Sequence, residues 1–255
     1  MKILQYKTLL LAVMTLACTS ASALTANNEG EEKNSNVEIL PYWASNWGAT
    51  TSFGAPKETR KINTSKLYYN YVFGVDLTKM ITPRWGVTSG LRFERKANGS
   101  SVEMKNFLTT VTLAGAGTPT HGYFTGKNTS KNDNKYLTLP LLAVYRANKD
   151  WDFRMGAYFS YALSRCYTGE ATDGKIRESP LVPATAVTYS TSDFSDDITK
   201  YDIGLQLGTV HRMWKELYVT MDITWGLVNT LDSPRSGMTM NVYNLYYCMG
   251  LGWKF

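Results

Sequence analysis

Cysteine and histidine are rare in this chain. Its 255 residues include three cysteines, Cys18, Cys166 and Cys248, and two histidines, His121 and His211. So few cysteines exclude the disulfide framework of a small secreted domain. Neither Cys166 nor Cys248 has neighbours typical of a metal site or an activated nucleophile, so we expect no metal and no cofactor.

Strong net charge and long apolar runs are also missing. The formal net charge is +6, and the excess is spread along the chain. This excess is too small and too scattered to indicate nucleic acid as a partner. Charged residues interrupt every apolar stretch beyond the N-terminal segment, which excludes a bundle of transmembrane helices.

The N-terminus has the pattern of a secretory signal peptide. Lys2 and Lys7 precede an apolar run at 9–17, and Ala21-Ser22-Ala23 has the small-x-small form of a signal-peptidase site. A membrane-spanning helix needs about 20 apolar residues, and this run is much shorter. Cys18 leaves a lipid anchor open, although Thr15 stands where such motifs usually have leucine. The expected boundaries are a cleaved signal peptide at 1–23, a flexible lead-in at 24–36 and a folded domain at 37–255.

The rest of the chain has a two-residue period, seen best in its last forty residues. The odd positions of 217–227 and 243–255 are apolar or aromatic, while most even positions are small, polar or charged. This is the period of a β-strand. Because the bulky face is apolar and the other face offers glycines and charges, we expect the apolar face to meet lipid.

Eight segments show this alternation, and short turns alternate with long connections between them. The segments are 37–51, 67–78, 85–94, 137–145, 151–163, 201–209, 217–227 and 243–255, of which the first is the weakest because Pro41 interrupts it. The predicted fold is all-β: an eight-stranded antiparallel transmembrane β-barrel with short periplasmic turns and long extracellular loops. The long loops are predicted at 53–65, 97–135, 164–199 and 230–240.

Charged residues support this assignment of the two faces. Those on the face opposite the apolar row are Asp76, Arg92, Glu94, Arg146, Asp152, Arg154, Asp202, Asp222 and Lys254. A basic side chain turned to mid-bilayer lipid costs about 2–4 kcal/mol, so sorting this many charges to one face favours a membrane barrel. A soluble secreted β-sandwich or β-barrel binder, with its charges facing water, is the alternative.

The inward-facing charges form the first candidate site. They are Asp76, Arg92, Glu94, Arg154, Asp202 and Asp222. The interior of an eight-stranded barrel is just wide enough to be filled by side chains, and buried charges need partners. We therefore expect a polar network that plugs the lumen. A proton or ion path, or a small channel or transporter for small or hydrophobic solutes, remains the alternative.

The predicted extracellular loops hold the second group of candidates. These residues are His121, Tyr123, Phe124 and Phe194, expected as exposed contacts for a surface or secretion partner. The alternative is that they cap the rim of the barrel. The end of the last strand holds a third group, Tyr247, Trp253 and Phe255, which resembles the C-terminal signal that the barrel-assembly machinery recognises. The apolar row implies outer-membrane lipid and lipopolysaccharide as its surroundings.

An enzyme is the function class that the sequence favours least. Some small outer-membrane barrels carry catalytic Ser, His and acidic residues at the outer rim. His211 is predicted on the periplasmic side, away from lipopolysaccharide. His121 lies in a long loop without a motif serine nearby, so we expect no catalytic activity.

Several motifs together resemble the PorT-like outer-membrane β-barrel family of Gram-negative bacteria. They are Tyr136-Leu137-Thr138-Leu139-Pro140-Leu141-Leu142, Gly90-Leu91-Arg92-Phe93, Gly156-Ala157-Tyr158-Phe159-Ser160-Tyr161-Ala162-Leu163, Trp225-Gly226-Leu227-Val228-Asn229 and Gly250-Leu251-Gly252-Trp253-Lys254-Phe255. The resemblance implies an eight-stranded barrel of the OmpX/OmpA size class in the outer membrane. Some members of the family are linked to protein secretion, and the family defines no catalytic residues. The chain departs from it at Thr138, where members often carry an acidic residue, and in the interrupted first strand.

Overall fold

Eleven β-strands account for most of the chain in the computed structural model, which describes residues 37–52, 58–112, 119–179, 181–231 and 241–255. The strands are β1 (Val37–Thr51), β2 (Thr59–Leu67), β3 (Asn70–Met80), β4 (Trp85–Thr112), β5 (Pro119–Arg146), β6 (Trp151–Ser164), β7 (Tyr167–Arg177), β8 (Thr185–Asp193), β9 (Tyr201–Trp214), β10 (Leu217–Gly226) and β11 (Tyr243–Trp253). The predicted signal peptide at 1–23 and lead-in at 24–36 lie outside the described residues. Within the described ranges, no helix is long and apolar enough to cross a membrane.

Eight of these strands close into a barrel. Around the ring the order is β1, β3, β4, β5, β6, β9, β10 and β11, and every neighbouring pair is antiparallel. The last strand closes the ring by pairing with the first, from Tyr42 opposite Gly252 to Thr51 opposite Tyr243. Closure removes the free edges that an open sheet would expose. The predicted eight-stranded transmembrane barrel is confirmed, and each of the eight predicted segments overlaps a different strand of the ring.

Strand β1 runs through its proline without losing its place in the sheet. Pro41 lies opposite Val75 of β3, and the register is continuous from Val37 to Asn46. Proline lacks a backbone N–H, so it removes at most one bond from the ladder. The weakest of the eight predicted strands is therefore paired on both sides, with β3 from Val37 to Asn46 and with β11 from Tyr42 to Thr51.

The two faces of the barrel differ as the alternation predicts. Outward side chains in the middle of the strands are apolar and exposed, among them Leu141 at 59%, Met155 at 65% and Leu207 at 57%. Inward side chains at the neighbouring positions are buried, as Asp202 and Gln206 are in β9. In a soluble protein such a continuous apolar belt would be exposed to water, whereas lipid is its ordinary surrounding in a transmembrane barrel.

The prediction of long extracellular loops is wrong in one respect, because strands occupy much of these segments. Strands β4 and β5 each continue to 28 residues and pair with each other to their far ends. At about 3.3 Å per residue, such a strand is nearly four times as long as an apolar band about 25 Å tall. Strand β2 pairs with the extension of β4, and β7 and β8 pair beside the extension of β5.

The reason for this difference lies in the composition of the extensions. Residues 97–135 are rich in Ser, Thr, Asn, Gly and Lys, so they lack the apolar alternation that identifies a lipid-facing strand. Outside the membrane both faces of a β-sheet can be polar, and backbone pairing holds the strands together. Most of the fourth predicted loop, 230–240, lies outside the described residues.

Candidate functional site in the barrel lumen

Five side chains form a closed hydrogen-bonded ring across the middle of the lumen. Arg154 donates from Nε to Oδ1 of Asp222 at 2.9 Å and from Nη1 to Oδ2 of Asp76 at 2.8 Å. Arg92 donates from Nη2 to Oδ2 of Asp76 at 3.0 Å and from Nη1 to Oε1 of Gln206 at 3.0 Å. Gln206 completes the ring by donating from Nε2 to Oδ1 of Asp222 at 2.9 Å.

The ring, which we call the central ring, connects strands that are far apart around the barrel. Its residues come from β3, β4, β6, β9 and β10, five of the eight barrel strands. Each of its side chains is at most 5% exposed. Two arginines and two aspartates balance in charge, and charge-assisted bonds of this kind are stronger than neutral ones. The central ring therefore fills the lumen with a neutral but tightly bonded group.

A second cluster lies next to the central ring, toward the extracellular side. Lys96 Nζ lies 3.1 Å from Oε1 of Glu94 and 3.9 Å from Oδ2 of Asp202. The same ammonium group lies 5.2–5.7 Å from the centres of three tyrosine rings, those of Tyr136, Tyr158 and Tyr246. Aromatic faces attract a cation at this distance. We call Glu94, Lys96, Asp202 and the three tyrosines the lysine cage.

Neutral donors complete the surroundings of the two carboxylates in the lysine cage. Thr138 donates its hydroxyl to Oε1 of Glu94 at 2.6 Å. Oδ2 of Asp202 accepts hydrogen bonds from Tyr158 Oη at 3.0 Å and from Asn244 Nδ2 at 2.8 Å. Buried carboxylates are stable only when such donors or cations surround them.

Both ends of the lumen have further polar layers. At the periplasmic end, Arg146 binds Asp152 and Glu38 at 2.8 Å each, and Lys254 binds Glu38 at 2.6 Å. A cavity of about 260 Å³ opens beside these four residues. At the extracellular end a layer of asparagines follows the lysine cage: Asn134 donates to Oδ1 of Asn132 at 2.8 Å, and Asn132 donates to Oδ1 of Asn98 at 3.4 Å.

The structure places all six predicted lumen residues inside the barrel and divides them between two groups. The central ring holds four of them, Asp76, Arg92, Arg154 and Asp222, and the lysine cage holds Glu94 and Asp202. Lys96 was missed because the strand was predicted to end at 94, although its parity matches that of Arg92 and Glu94. Gln206 was missed because it is uncharged. The only signal for Gln206 in the sequence was its position in the alternation, which places it on the inward face of its strand.

The prediction that the four extracellular candidate residues are exposed is wrong for two of them. His121 is exposed and lies 3.1 Å from the Thr110 hydroxyl, and Tyr123 is 44% exposed. The expectation of exposure is wrong for Phe124 and Phe194, which are 1% and 8% exposed. Phe124 packs in a core with Ile176 and Val187, and Phe194 packs in another with Met104, Phe107, Ile198 and Leu231. The extensions have small apolar cores of their own, to which these two rings belong.

A short 3₁₀ turn, Ser195–Asp197, follows Phe194 and is fixed by its neighbour Asp193. Ser195 donates both its backbone N–H and its hydroxyl to Oδ1 of Asp193. These hydrogen bonds favour the charged carboxylate and hold the pKa of Asp193 below its ordinary value. The turn directs Phe194 into its core on the extracellular side.

Replacing Phe194 with alanine tests these extracellular cores. We expect local destabilisation of about 3–5 kcal/mol, because a large buried ring is lost and a cavity remains. Trypsin cleavage at Arg165, whose guanidinium donates to the carbonyl oxygen of Ile198 in the core of Phe194, should then rise at least tenfold, while the membrane-embedded barrel stays intact. Tyr123→Ala, on the exposed face, is the matched control and should leave the cleavage rate unchanged. Equal cleavage in the two variants would contradict the packing described here.

The three residues of the predicted assembly signal lie on the outside of the last strand. Tyr247, Trp253 and Phe255 are 38%, 48% and 64% exposed. The Tyr247 ring stacks on Trp47 of β1 with centres 6.0 Å apart. The backbone of Phe255 exchanges two hydrogen bonds with Ile39, at 2.9 and 3.2 Å. These side chains therefore mark the seam where the barrel closes.

The described residues offer little that metal or nucleophilic chemistry could use. Among them, no group of three or more His, Cys, Asp or Glu is arranged to hold a metal ion. Cys166 and Cys248 are both free thiols, and Cys248 lies buried on the inner face of β11. His211 stacks on Trp151 at the periplasmic end, with ring centres 4.1 Å apart. The chemistry of the lumen is that of paired charges and hydrogen bonds.

Comparison with solved structures finds matches of low sequence identity. Ail, the attachment invasion locus protein of Yersinia pestis, is 11% identical with a TM-score of 0.37, covering 86% of this chain and 97% of that one. OprG of Pseudomonas aeruginosa is 12% identical with a TM-score of 0.37, covering 87% and 96%. The translocator domain of NalP from Neisseria meningitidis is 11% identical with a TM-score of 0.26, covering 95% and 96%.

The family comparison is more informative than these structures. No curated protein sequence matches the chain. Residues 27–232 match the model of the family described as outer membrane protein beta-barrel domain. This match covers most of the chain, and the closed barrel with its apolar outer belt has the architecture of such a protein. The chain therefore belongs to the outer-membrane β-barrel domain family and is a protein of the cell outer membrane.

Proposed function

We propose that this protein is a closed, non-enzymatic barrel that serves as a scaffold for binding at the cell surface. The observation that carries the proposal is the central ring, because its five bonded side chains connect five strands across the lumen. An eight-stranded barrel leaves only enough interior for side chains. A solute would have to break this ring to pass.

The layers on either side of the ring support a closed lumen. The lysine cage holds Lys96 between two carboxylates and three aromatic rings, and the asparagine layer lies beyond it. An ion crossing the barrel would have to displace these partners one layer after another. Removing one partner from a buried charge costs about 3–5 kcal/mol, so repeated displacement is a high barrier.

The extracellular extension supports a role at the surface. Strands β2, β7 and β8 and the far halves of β4 and β5 are ordered well beyond the membrane band, with apolar cores of their own. Binding residues are often carried on such structures above a rigid scaffold. A surface or secretion partner fits this arrangement, and the PorT-like motifs favour a role associated with secretion.

The outer face implies partners in the membrane. The apolar belt would lie against outer-membrane lipid and lipopolysaccharide, and we propose that Tyr247, Trp253 and Phe255 are read by the barrel-assembly machinery. All three side chains lie on the outer face of β11, so one side of the last strand presents them together. Loss of membrane insertion in a Trp253→Ser, Phe255→Ser variant, with normal export, would support this role.

Conductance in a planar lipid bilayer tests the closed lumen. The wild-type barrel should show no steady single-channel current. A variant with Asp76, Arg92, Arg154 and Asp222 all changed to serine removes the charges in balanced pairs and shortens each side chain, so current should appear. Arg212→Ser, which breaks an exposed ion pair with Asp150 at the periplasmic turn, is the control and should stay silent. A large, steady wild-type current would favour the small channel or transporter instead.

A further inference from the structure

A cavity of about 390 Å³ lies at the extracellular end of the barrel, above the asparagine layer. Its walls include inward-facing residues of β1, β4 and β5, such as Thr50, Ser100 and Asn128. This volume falls within the range of about 300–1,000 Å³ that is typical of small-molecule sites. The floor is closed by the asparagines and the lysine cage, so the cavity is a place for binding and leads to no open path.

The cavity walls are polar but uncharged. Hydroxyl and amide side chains dominate the described lining, among them Thr50, Asn98, Ser100, Asn128, Ser130 and Asn132. Among the described lining residues there is no Asp, Glu, Lys or Arg. A charged ligand would lose its hydration here without gaining an opposite charge, which is costly.

One side of the cavity is apolar. Met104, Ile198, Leu231 and Val242 line it together with the ring of Tyr167. Tyr167 is half-buried, and desolvation of its hydroxyl raises the pKa above the ordinary value, so the ring stays neutral. A purely apolar ligand would use this side but leave the opposite hydroxyls and amides unpaired, at a cost for each group.

Two polar groups in the lining have weak partners that a ligand could replace. Asn128 Nδ2 donates to the thioether sulfur of Met104 at 3.7 Å, and sulfur is a weak acceptor. Asn132 Nδ2 lies 3.4 Å from Oδ1 of Asn98, which is long for a hydrogen bond. A ligand hydroxyl would be a better partner for both amides.

We propose that this cavity binds a neutral saccharide of one or two rings. Such a ligand combines hydroxyl groups for the amide side with C–H faces for Tyr167 and the aliphatic side, and it carries no charge. The inference rests on the proposed function, because it names the ligand class of the surface scaffold. It does not need the lumen to be closed along its whole length.

Binding is tested with the full-length mature protein in lipid nanodiscs, which avoids detergents that carry sugar headgroups. The probes are glucose, galactose, mannose, maltose, lactose and sucrose, with glucuronate and glucosamine as charged controls and cyclohexanol as the apolar control. Saturation-transfer NMR and calorimetry should show binding of at least one neutral sugar, at least tenfold tighter than that of any control.

Variants assign the binding to this cavity. Asn128→Leu keeps the size of the side chain but removes its amide, and the affinity should fall about tenfold or more, as expected for one lost hydrogen-bonding partner. Lys131→Gln, on the outward face of β5, is the matched control and should bind as the wild type does. Slower migration after boiling than before it shows that each variant is folded.

The possible outcomes separate this inference from the proposed function. Failure of all six neutral sugars to bind, equal binding of the charged controls, or equal affinity in the two variants would overturn the saccharide site. None of these results would change the absence of current expected in the bilayer experiment. A conducting wild-type barrel that still binds a neutral sugar through Asn128 would overturn the closed scaffold and leave the saccharide site standing.

Discussion

Changing Arg154 to methionine should lower the free energy of unfolding by about 3–5 kcal/mol, because it leaves buried carboxylates without a cation. Arg154 forms ion pairs with both Asp76 and Asp222. Each of these three side chains is at most 2% exposed. Asp76 keeps Arg92 as a partner, whereas Asp222 keeps only the neutral amide of Gln206 among the contacts of the central ring. The larger part of the loss should therefore come from Asp222.

Urea-induced unfolding from lipid vesicles measures this change. Arg212→Met is the matched control, because Arg212 pairs with Asp150 at an exposed periplasmic turn, where an ion pair contributes about 0–1 kcal/mol. Adding Asp222→Leu to Arg154→Met removes the unpaired carboxylate and should recover most of the lost stability. A loss below 1 kcal/mol for Arg154→Met alone would show that water reaches Asp222 and that the ring does not seal the lumen.

Changing Leu207 to arginine should cost about 2–4 kcal/mol of stability in the membrane. Leu207 is 57% exposed in the middle of β9, opposite Met155 and Ile223 on the neighbouring strands. All three side chains face outward, so the new guanidinium would lie in the hydrocarbon region. The result tests whether the apolar belt meets lipid, which distinguishes a membrane barrel from a soluble one.

A substitution near the end of the same strand, at the membrane interface, is the control for this experiment. Met213, at the periplasmic end of β9, is similarly exposed at 59%. Arginine near a membrane interface costs only about 0–1 kcal/mol, so Met213→Arg should be nearly neutral. If both variants lost the same stability, or neither lost any, position along the strand would not matter. That outcome would contradict a belt embedded in the bilayer.

The alternation in the sequence was sufficient to predict the ring of eight strands. In β9, Tyr201, Ile203, Leu205 and Leu207 alternate with Asp202, Gly204 and Gln206, and this parity alone separates the lipid face from the lumen. The signal is strong because a lipid-facing charge is costly, so natural sequences sort charges to one face. The alternation does not continue beyond the membrane, because both faces of the sheet meet a polar medium there. Residues such as Ser100 and Lys127 are therefore polar whichever face they lie on.

The alternation shows which side chains face the lumen, but it could not predict which of them pair with each other. Asp76 and Arg154 are 78 positions apart in the chain, and they meet only because the closed ring places β3 and β6, three strands apart, around one narrow interior. Pairing depends on register and closure, which alternation does not specify. Burial of Phe194 likewise depends on contacts with Met104 and Leu231, which are distant in sequence.

Closure of the barrel determines every contact in the lumen, and disulfide trapping between the first and last strands tests it most directly. Thr51 and Tyr243 lie opposite each other at the extracellular end of the seam. In a protein with Cys166 and Cys248 changed to serine, cysteines at these two positions should cross-link, because paired strands bring Cα atoms to about 4.5–5.5 Å.

Cysteines at positions 51 and 247 provide the control, since Tyr247 lies opposite Trp47 and is too far from Thr51 to be bridged. We expect a cross-link of the first pair in folded protein recovered from membranes, and no cross-link of the second. Absence of the first cross-link, or formation of both at equal rates, would show that β1 and β11 are not paired as described and that the barrel does not close.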